Sequence, residues 1–524
     1  MPQSGGRRAG RALVLLLLLS AFAYGSYMRF IAPRGGISGL QLPVLPQKER
    51  PFTVVVDSWV GSLPAQLIKI RGYDEELGLN LQIKYQEDDS ERLKMLSRGE
   101  ADFTSIALNS WVRNSDGERA AAKAIFKIDD SFGADALVVD SRKIQTINDL
   151  IDKRVAYTDN GVGEYFLFYL LRVVGLSPRD IVALPQDNMD KVVAAFRDGR
   201  ADAVVSWEPE ITNKLLPIAG TKKLISTREA ANLIVDVGVV SERAAQQRSE
   251  DVKKFTQAWF AAVNYLSARP ESAYEKLAAS LPADVYGRLM PDDIKAMFGG
   301  VKMTSFAENI AVFDVEPLTG YTGPHIWDLI DSVNRVYVSA GKMKSGLDAT
   351  RAYRADFLAA ARGQSDAGGL DPALIGAPAA PKPDAPAAQI DPAQVERATR
   401  AVAQLKVDRI NFDPDSATIR PESFPILDDV VQTMKNFPTY YLIIDGYVHD
   451  IYGGKGTPAQ MQSLQSFSLK RAQAVAKYII DKGGFDPKRV IPRGMGASVQ
   501  VSATDPELNR RTEFKLVEAA GAGK

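Results

Sequence analysis

Two stretches about a hundred residues apart carry the same reading: Leu96-Ser97-Arg98-Gly99-Glu100-Ala101-Asp102-Phe103 and Phe196-Arg197-Asp198-Gly199-Arg200-Ala201-Asp202-Ala203. In each, an amphipathic helix ends at a glycine, the residue that takes a left-handed C-cap without a Cβ penalty, and Ala-Asp then leads into an apolar strand. The echo implies two similar α/β lobes. Upstream, Phe52 to Val56 reads as a short apolar strand, Pro64 to Tyr73 as a helix, Leu79 to Tyr85 as an alternating strand and Ser90 to Arg98 as a helix. Alternation of this kind predicts mostly parallel sheets.

The chain around these lobes has 524 residues, 45% apolar and 24% charged, with 64 basic and 64 acidic side chains in balance. That length predicts several domains. A zero balance argues against a general nucleic-acid binder, which needs a surplus of Lys and Arg facing phosphates. There is no cysteine, and His325 and His449 are the only imidazoles. Disulfides, thiolate chemistry, lipid attachment through an N-terminal cysteine and a histidine-rich metal site are thereby excluded, and no metal or other cofactor is expected.

Arg7, Arg8 and Arg11 precede an almost unbroken apolar stretch, Ala12 to Met28, and Arg29 follows it. At about 17 residues the run is at the short limit for spanning a bilayer and long for a signal-peptide core. Residues 1–31 are therefore either an uncleaved transmembrane signal anchor, its N-terminus held in the cytoplasm by the arginines, or a cleaved signal peptide. Residues 32–50 read as a Gly/Pro-containing spacer. A second composition break comes at 363–393, where six prolines and many alanines predict an extended linker rising about 3.1 Å per residue. It separates a large domain, 51–362, from a small one, 394–520.

The large domain resembles the periplasmic solute-binding proteins of the nitrate/sulfonate/taurine type. The resemblance rests on Asp57-Ser58-Trp59-Val60-Gly61, the paired Gly-x-Ala-Asp segments, Ser131 to Val139, Val155 to Glu164 and Val205-Ser206-Trp207-Glu208-Pro209. It implies a type II-like two-lobed clamp closing on a small polar or anionic solute and serving a membrane transporter or a signalling partner. Loops at the carboxyl ends of parallel strands and free N–H groups at helix N-termini suit such a solute. The lining positions it implies are Ser58, Trp59, Thr104, Ser105, Thr158, Gly161 and Trp207. Each has a plainer reading: a Trp after a strand as core, a Ser or Thr before a helix as an N-cap. The pyrimidine synthases of thiamine biosynthesis, which share this fold, depend on a histidine and a cysteine-rich stretch. With no Cys, this chain is not expected to be an enzyme.

In the small domain, Gln394 to Leu405 reads as helical. Asn411-Phe412, Ile419-Arg420-Pro421, a helix over Ile426 to Met434, a strand over Tyr440 to Ile444 and a long polar loop over Ile451 to Gln465 follow. A helix over Leu464 to Lys482, Arg493-Gly494-Met495-Gly496 and Asn509-Arg510-Arg511-Thr512-Glu513 complete it. The succession, with Ser468-Leu469-Lys470-Arg471-Ala472 at its centre, resembles the OmpA-like peptidoglycan-binding domain, a small α+β sandwich. That resemblance implies a grip on the diaminopimelate of the peptide stem, where a guanidinium meets the carboxylate and an acidic group meets the ammonium. Arg471 is the implied guanidinium, with Asn509 and Arg510 as secondary candidates. The family's Gly-His-Thr-Asp is replaced by Gly446-Tyr447-Val448-His449-Asp450, so Asp450 serves as the acid only if the loop shifts by one residue. The domain is then either a wall binder or a structural or protein-docking module. The expected whole is a protein held in the inner membrane by its N-terminal helix, with periplasmic solute-binding and wall-binding domains, or a soluble periplasmic protein if the leader is cleaved.

Overall fold

The computed structural model describes residues 50–115, 122–316, 321, 323–363, 370–375 and 400–518. The expected membrane segment and most of the Pro/Ala linker lie outside the described residues. Among the described residues, no helix is long and apolar enough to cross a membrane.

The first lobe is built on a six-stranded sheet in the order β11-β4-β10-β3-β1-β2. Its strands are β1 (Phe52–Val56), β2 (Leu81–Tyr85), β3 (Phe103–Ala107), β4 (Ala122–Ser131), β10 (Val235–Ser241) and β11 (Val301–Met303). The second lobe has the order β7-β6-β8-β5-β9, from β5 (Asp135–Asp140), β6 (Arg154–Thr158), β7 (Val182–Gln186), β8 (Ala203–Trp207) and β9 (Thr221–Ser226). Only β2-β1-β3 and β7-β6-β8 are parallel; β10 runs antiparallel to β3 and β4, and β5 antiparallel to β8 and β9. The expectation of mostly parallel sheets is thus corrected to two mixed sheets. The chain crosses to lobe 2 from β4 to β5 and returns from β9 to β10, and these direct passages, without a crossover helix, impose antiparallel pairing.

The paired Gly-x-Ala-Asp segments do the same work in each lobe. Gly99 and Gly199 both take positive φ, ending α1 (Asp89–Arg98) and following α4 (Met189–Arg197). Asp102 then accepts the Thr53 backbone N–H at 2.9 Å, and Asp202 accepts that of Arg154 at 3.1 Å, so each carboxylate fastens the neighbouring parallel strand of its lobe, β1 or β6. Each is neutralised by a guanidinium, Arg248 at 2.8 Å and Arg154 at 2.9 Å. The repeated aspartate is a structural clasp and not a ligand group.

On the lobe 1 sheet lies α5 (Ser249–Ala268), whose Phe255, Trp259 and Phe260 stack against Phe52, Phe103 and Phe126, with Phe103–Phe255 ring centroids 4.6 Å apart. Such aromatic pairs add about 0.5–1.5 kcal/mol each beyond their buried area. A side chain at Gly238 on β10 would strike the Phe126 and Phe103 rings at 2.6 and 2.7 Å. The lobes are spanned on one side by α6 (Ile326–Ser339), which packs on both α2 (Leu108–Asn114) and α3 (Val162–Val173). His325 is its N-cap residue, its N–H donating to Asp328 at 3.0 Å.

The C-terminal module is a four-stranded sheet, order β12-β15-β13-β14, from β12 (Arg400–Leu405), β13 (Tyr441–Tyr447), β14 (Val490–Gly496) and β15 (Thr512–Glu518). Helices α7 (Phe424–Asn436) and α8 (Pro458–Gly483) cover it. Two expectations are corrected. Residues 400–405 form an edge strand on β15 and not a helix, because pairing along β15 satisfies their backbone. The polar loop expected to run to Gln465 ends at Thr457, where a capping box with Gln460 and Pro458 at the first turn start the helix early.

This module seats on lobe 2. Asn148 and Gln404 exchange hydrogen bonds at 3.1 and 2.9 Å, and the Asn436 amide donates to the Tyr169 hydroxyl at 2.8 Å. A pocket of about 450 Å³ lies along the joint, lined by Asn148 and Val174 of lobe 2 and by Lys406, Arg409 and Glu507 of the module.

Candidate functional site

The joint between the lobes is a small polar cluster. Ser131 donates to Asp135 at 2.7 Å, its hydroxyl lies 2.8 Å from that of Thr227, and the Gly133 N–H donates to Thr227 at 2.9 Å. Burial pushes the Asp135 carboxyl up to about 6, with the Ser131 hydrogen bond opposing. Across the opening, Arg113 of α2 donates to Asn160 of lobe 2 at 3.1 Å.

The loop after β1 brings Ser58 and Trp59 to the carboxyl end of the lobe 1 sheet, as expected. Their backbone N–H groups and the Ser58 hydroxyl are already used. The Ser58 N–H and hydroxyl both go to Glu87, at 3.0 and 3.2 Å, and the Trp59 N–H goes to Asp57 at 3.2 Å. Asp57 also accepts from Ser62 at 3.0 Å and from fully buried Arg92 at 3.0 Å. Arg92 pairs with Asp89 as well. Of the two β3 candidates, Thr104 is buried and its hydroxyl donates to the Ser105 carbonyl at 3.0 Å, while the Ser105 hydroxyl lies 2.6 Å from that of Ser62. Both brace the sheet end from within.

Beside them stand two acids that sequence reasoning did not single out. Asp129, near the end of β4, is 1% exposed; its Oδ2 has no hydrogen bond among the described residues, though the neighbouring Trp59 indole N–H pulls its proton affinity down. Its Oδ2 would lie 1.8 Å from a Cβ on Gly61, so only glycine leaves room for it. The Trp59 indole nitrogen borders the same space, also without a hydrogen-bond partner. Asp236 is the register partner of Asp129 across β4 and β10, is half-buried, and is likewise unpaired. Burial and then the neighbouring Asp130 push Asp129 up to about 8, and burial and Asp129 push Asp236 well above the usual carboxylate range. Burial also raises Asp89, against the pull of Arg92. The available signal was a lone charge in an apolar strand, Val235-Asp236-Val237, and the acid pair Asp129-Asp130 closing another.

In lobe 2, Thr158 ends β6 with its hydroxyl buried and without a partner. Gly161 is the N-cap of α3, where a Cβ would come within 3.3 Å of that hydroxyl. The first turn of α3 carries its own anion. Glu164 is fully buried, accepts the Asn160 N–H at 2.7 Å and pairs with Lys342 at 2.8 Å. Trp207 ends β8 opposite Asp135, half-buried. The cis peptide Glu208-Pro209 follows it.

In the C-terminal module, Arg471 projects from α8 with its guanidinium between the Phe412 and Phe467 rings, 4.8 and 4.6 Å from their centroids. Its Nε donates to the Ser416 carbonyl at 2.9 Å, and it has no ion pair among the described residues. Burial and the nearby Arg510 hold its pKa below the ordinary arginine value, while Asp415 and Glu507 are the carboxylates that act against them. Asp450 is not brought into this group. Its carboxylate closes its own loop, accepting the Tyr452 and Gly454 N–H groups at 2.9 and 2.7 Å. Asn509 is fully buried and pins the chain, accepting the Val501 N–H at 2.7 Å and lying 3.1 Å from His449 Nδ1. Arg510 pairs with Glu507. Asp445 is also occupied, gripped by Arg493 at 2.6 Å and Lys515 at 2.8 Å.

Residues 64–273 match the NMT1/THI5-like family model, and residues 411–513 match the OmpA family model. The chain joins an NMT1/THI5-like module to an OmpA-family module. No curated protein matches it. Among solved structures, the alkanesulfonate-binding protein of Xanthomonas axonopodis pv. citri, bound to MOPS, is 18% identical with a TM-score of 0.42, over 58% of this chain and 98% of that one. The periplasmic aliphatic sulphonate-binding protein of Escherichia coli is 16% identical with a TM-score of 0.44, over 58% of this chain and 98% of that one. A Candida albicans gene product with the generic periplasmic binding protein fold is 17% identical with a TM-score of 0.42, over 60% and 94%.

Proposed function

We propose that this is a cell-envelope protein that closes a two-lobed clamp on a small polar solute and attaches non-covalently to peptidoglycan through its OmpA-family module. The clamp reading is carried by unpartnered polar atoms at strand ends of both lobes, Trp59 Nε1 and Asp129 Oδ2 in the first and Thr158 Oγ1 in the second. Buried polar atoms without partners cost about 1–3 kcal/mol each, a cost that a ligand supplying the missing hydrogen bonds removes. The wall reading is supported by Arg471, whose terminal nitrogens are held between two rings and left for a carboxylate. The work is binding and closure, not bond-making, and a transporter or signalling partner receives the closed form. Ala12 to Met28 would hold the protein at the inner membrane, so that a wall grip of modest affinity stays engaged through effective concentration.

Native mass spectrometry of the full chain tests the clamp by detecting a co-purified small molecule. Loss of sacculus pull-down in Arg471→Ala tests the wall grip; unchanged pull-down would refute it. A second reading, an envelope scaffold with a degenerate clamp, is favoured by one observation: both Ser58 donors are spent on Glu87. No ligand on mass spectrometry and no ligand-dependent closure in solution scattering would select it.

A further inference from the structure

We infer that the solute taken by the clamp is a small organic cation, an ammonium or guanidinium compound, held between Asp129 and Asp236 with the Trp59 indole beside it. This rests on the clamp reading and narrows it to one charge. Several donors that an anion would use are already committed within the chain: the Ser58 N–H and hydroxyl serve Glu87, the Trp59 backbone N–H serves Asp57, and the Asn160 N–H ahead of α3 serves the Glu164 carboxylate. In lobe 1 the Asp129 Oδ2 acceptor is left without a hydrogen bond among the described residues, with the Trp59 indole N–H beside it.

Asp129 and Asp236 stand directly opposite on neighbouring antiparallel strands. Like charges in that position repel, so the pair requires either protons or a counter-charge. The cations that reach them, Lys127 and Arg92, offset the repulsion only through space, because each is ion-paired with other acids. Asp57 after β1 and Asp89 on α1 add negative charge, and Arg92 is consumed by those two. On β4, Lys127 is consumed by Asp130 at 2.6 Å. The elevated proton affinity of Asp129 and Asp236 has the same origin.

Two further observations point to an organic cation. Among the described residues, no group of three or more His, Asp or Glu is placed to hold a metal ion, so the acids do not converge as a metal site would require. Aromatic surface accompanies the acids: Trp59 borders Asp129, and the edge-to-face pair Tyr85–Tyr286 adjoins the Asp57 carbonyl, 3.5 Å from the Tyr286 hydroxyl. A carboxylate pair with aromatic rings nearby favours ammonium over sulfonate or phosphate.

The test is a thermal-shift and calorimetry panel on the full chain at fixed ionic strength, with primary amines, diamines, guanidines and choline against ethanesulfonate and phosphate. The expected result is stabilisation by at least one cationic probe and by neither anion, with Asp236→Asn and Asp129→Asn each weakening that probe at least tenfold. Both substitutions remove repulsion, so both variants are expected to fold. Stabilisation by ethanesulfonate or phosphate without any cation response overturns the inference and leaves the clamp standing. Cation binding unchanged in both variants overturns the assignment of the pair. No response to any probe of either charge overturns the inference and the clamp together.

Discussion

Gly446 and Gly494 face each other across β13 and β14, directly beneath α8. A Cβ on Gly494 would lie 2.4 Å from the Gln465 carbonyl oxygen and 2.7 Å from Leu469 Cβ, and one on Gly446 would lie 2.5 Å from the Ser468 carbonyl oxygen. The two carbonyl oxygens are helix backbone atoms, and Leu469 Cβ is fixed to that backbone, so none can turn aside as the end of a flexible side chain would. Relieving either clash requires α8 to lift by about 1 Å, which forfeits a quarter to a half of the attraction of each contact it breaks. Buried Ala472, Val475 and Ile479 make those contacts. With the usual cost of overpacking, Gly494→Ala should destabilise the module by about 2–3 kcal/mol. Hydrogen exchange of α8 amides, followed by mass spectrometry on the full chain, reads this locally even where a multidomain chain does not unfold in one step. The expected acceleration is about 30- to 150-fold. The double variant should fall short of the sum of the singles by about 1 kcal/mol, because a helix already lifted meets the second methyl at less cost. Single variants with exchange within threefold of the parent, or a strictly additive double, would refute the argument.

Three other outcomes follow from the charges. Asp129 is raised in the folded state, so its ionisation costs stability as pH climbs from the unfolded carboxylate range near 4 to about 8; Asp129→Asn should raise the melting temperature at pH 8 and leave it unchanged at pH 4. Asp445 is the opposite case: burial pushes it up, but Arg493 and Lys515 outweigh burial and lower it, so its stabilisation is present at neutral pH and lost as pH falls below the unfolded value near 4. Asp445→Ala should cost the wall module about 1–3 kcal/mol at pH 7, discounted for the part-exposed cations, with the deficit shrinking in acid, as read by β13 amide exchange. Asp102→Ala removes the clasp on β1 and leaves Arg248 without its buried partner, costing about 3–5 kcal/mol in thermal unfolding of the binding module.

The Gly-x-Ala-Asp echo made the two lobes legible because a helix C-cap and the strand behind it are local events. Strand direction was not legible in the same way. Whether β5 and β10 run parallel to their neighbours depends on the chain passing between lobes, which no local pattern records. Ser58, Trp59, Thr158 and Gly161 could be singled out as candidates because they end or follow strands, whereas Asp129 and Asp236 sit inside strands, where apolar alternation hides a charge. In the wall module, the motif located Arg471, but the acids that act on it, Asp415 and Glu507, are brought to it by folding from opposite ends of the module. The early start of α8 was written at Thr457-Pro458-Ala459-Gln460, a capping signal obscured by the polar run around it.

The seat of the wall module has a mechanical consequence. Through Tyr169, Asn148 and Asn436 it is fixed to lobe 2, while the chain leading from the N-terminal apolar run enters lobe 1 at β1. Were the chain held ahead of Pro51 and at Arg471, load between those two points would pass from lobe 1 to lobe 2 through the Ser131–Thr227–Asp135 joint and the α6 bridge beside it.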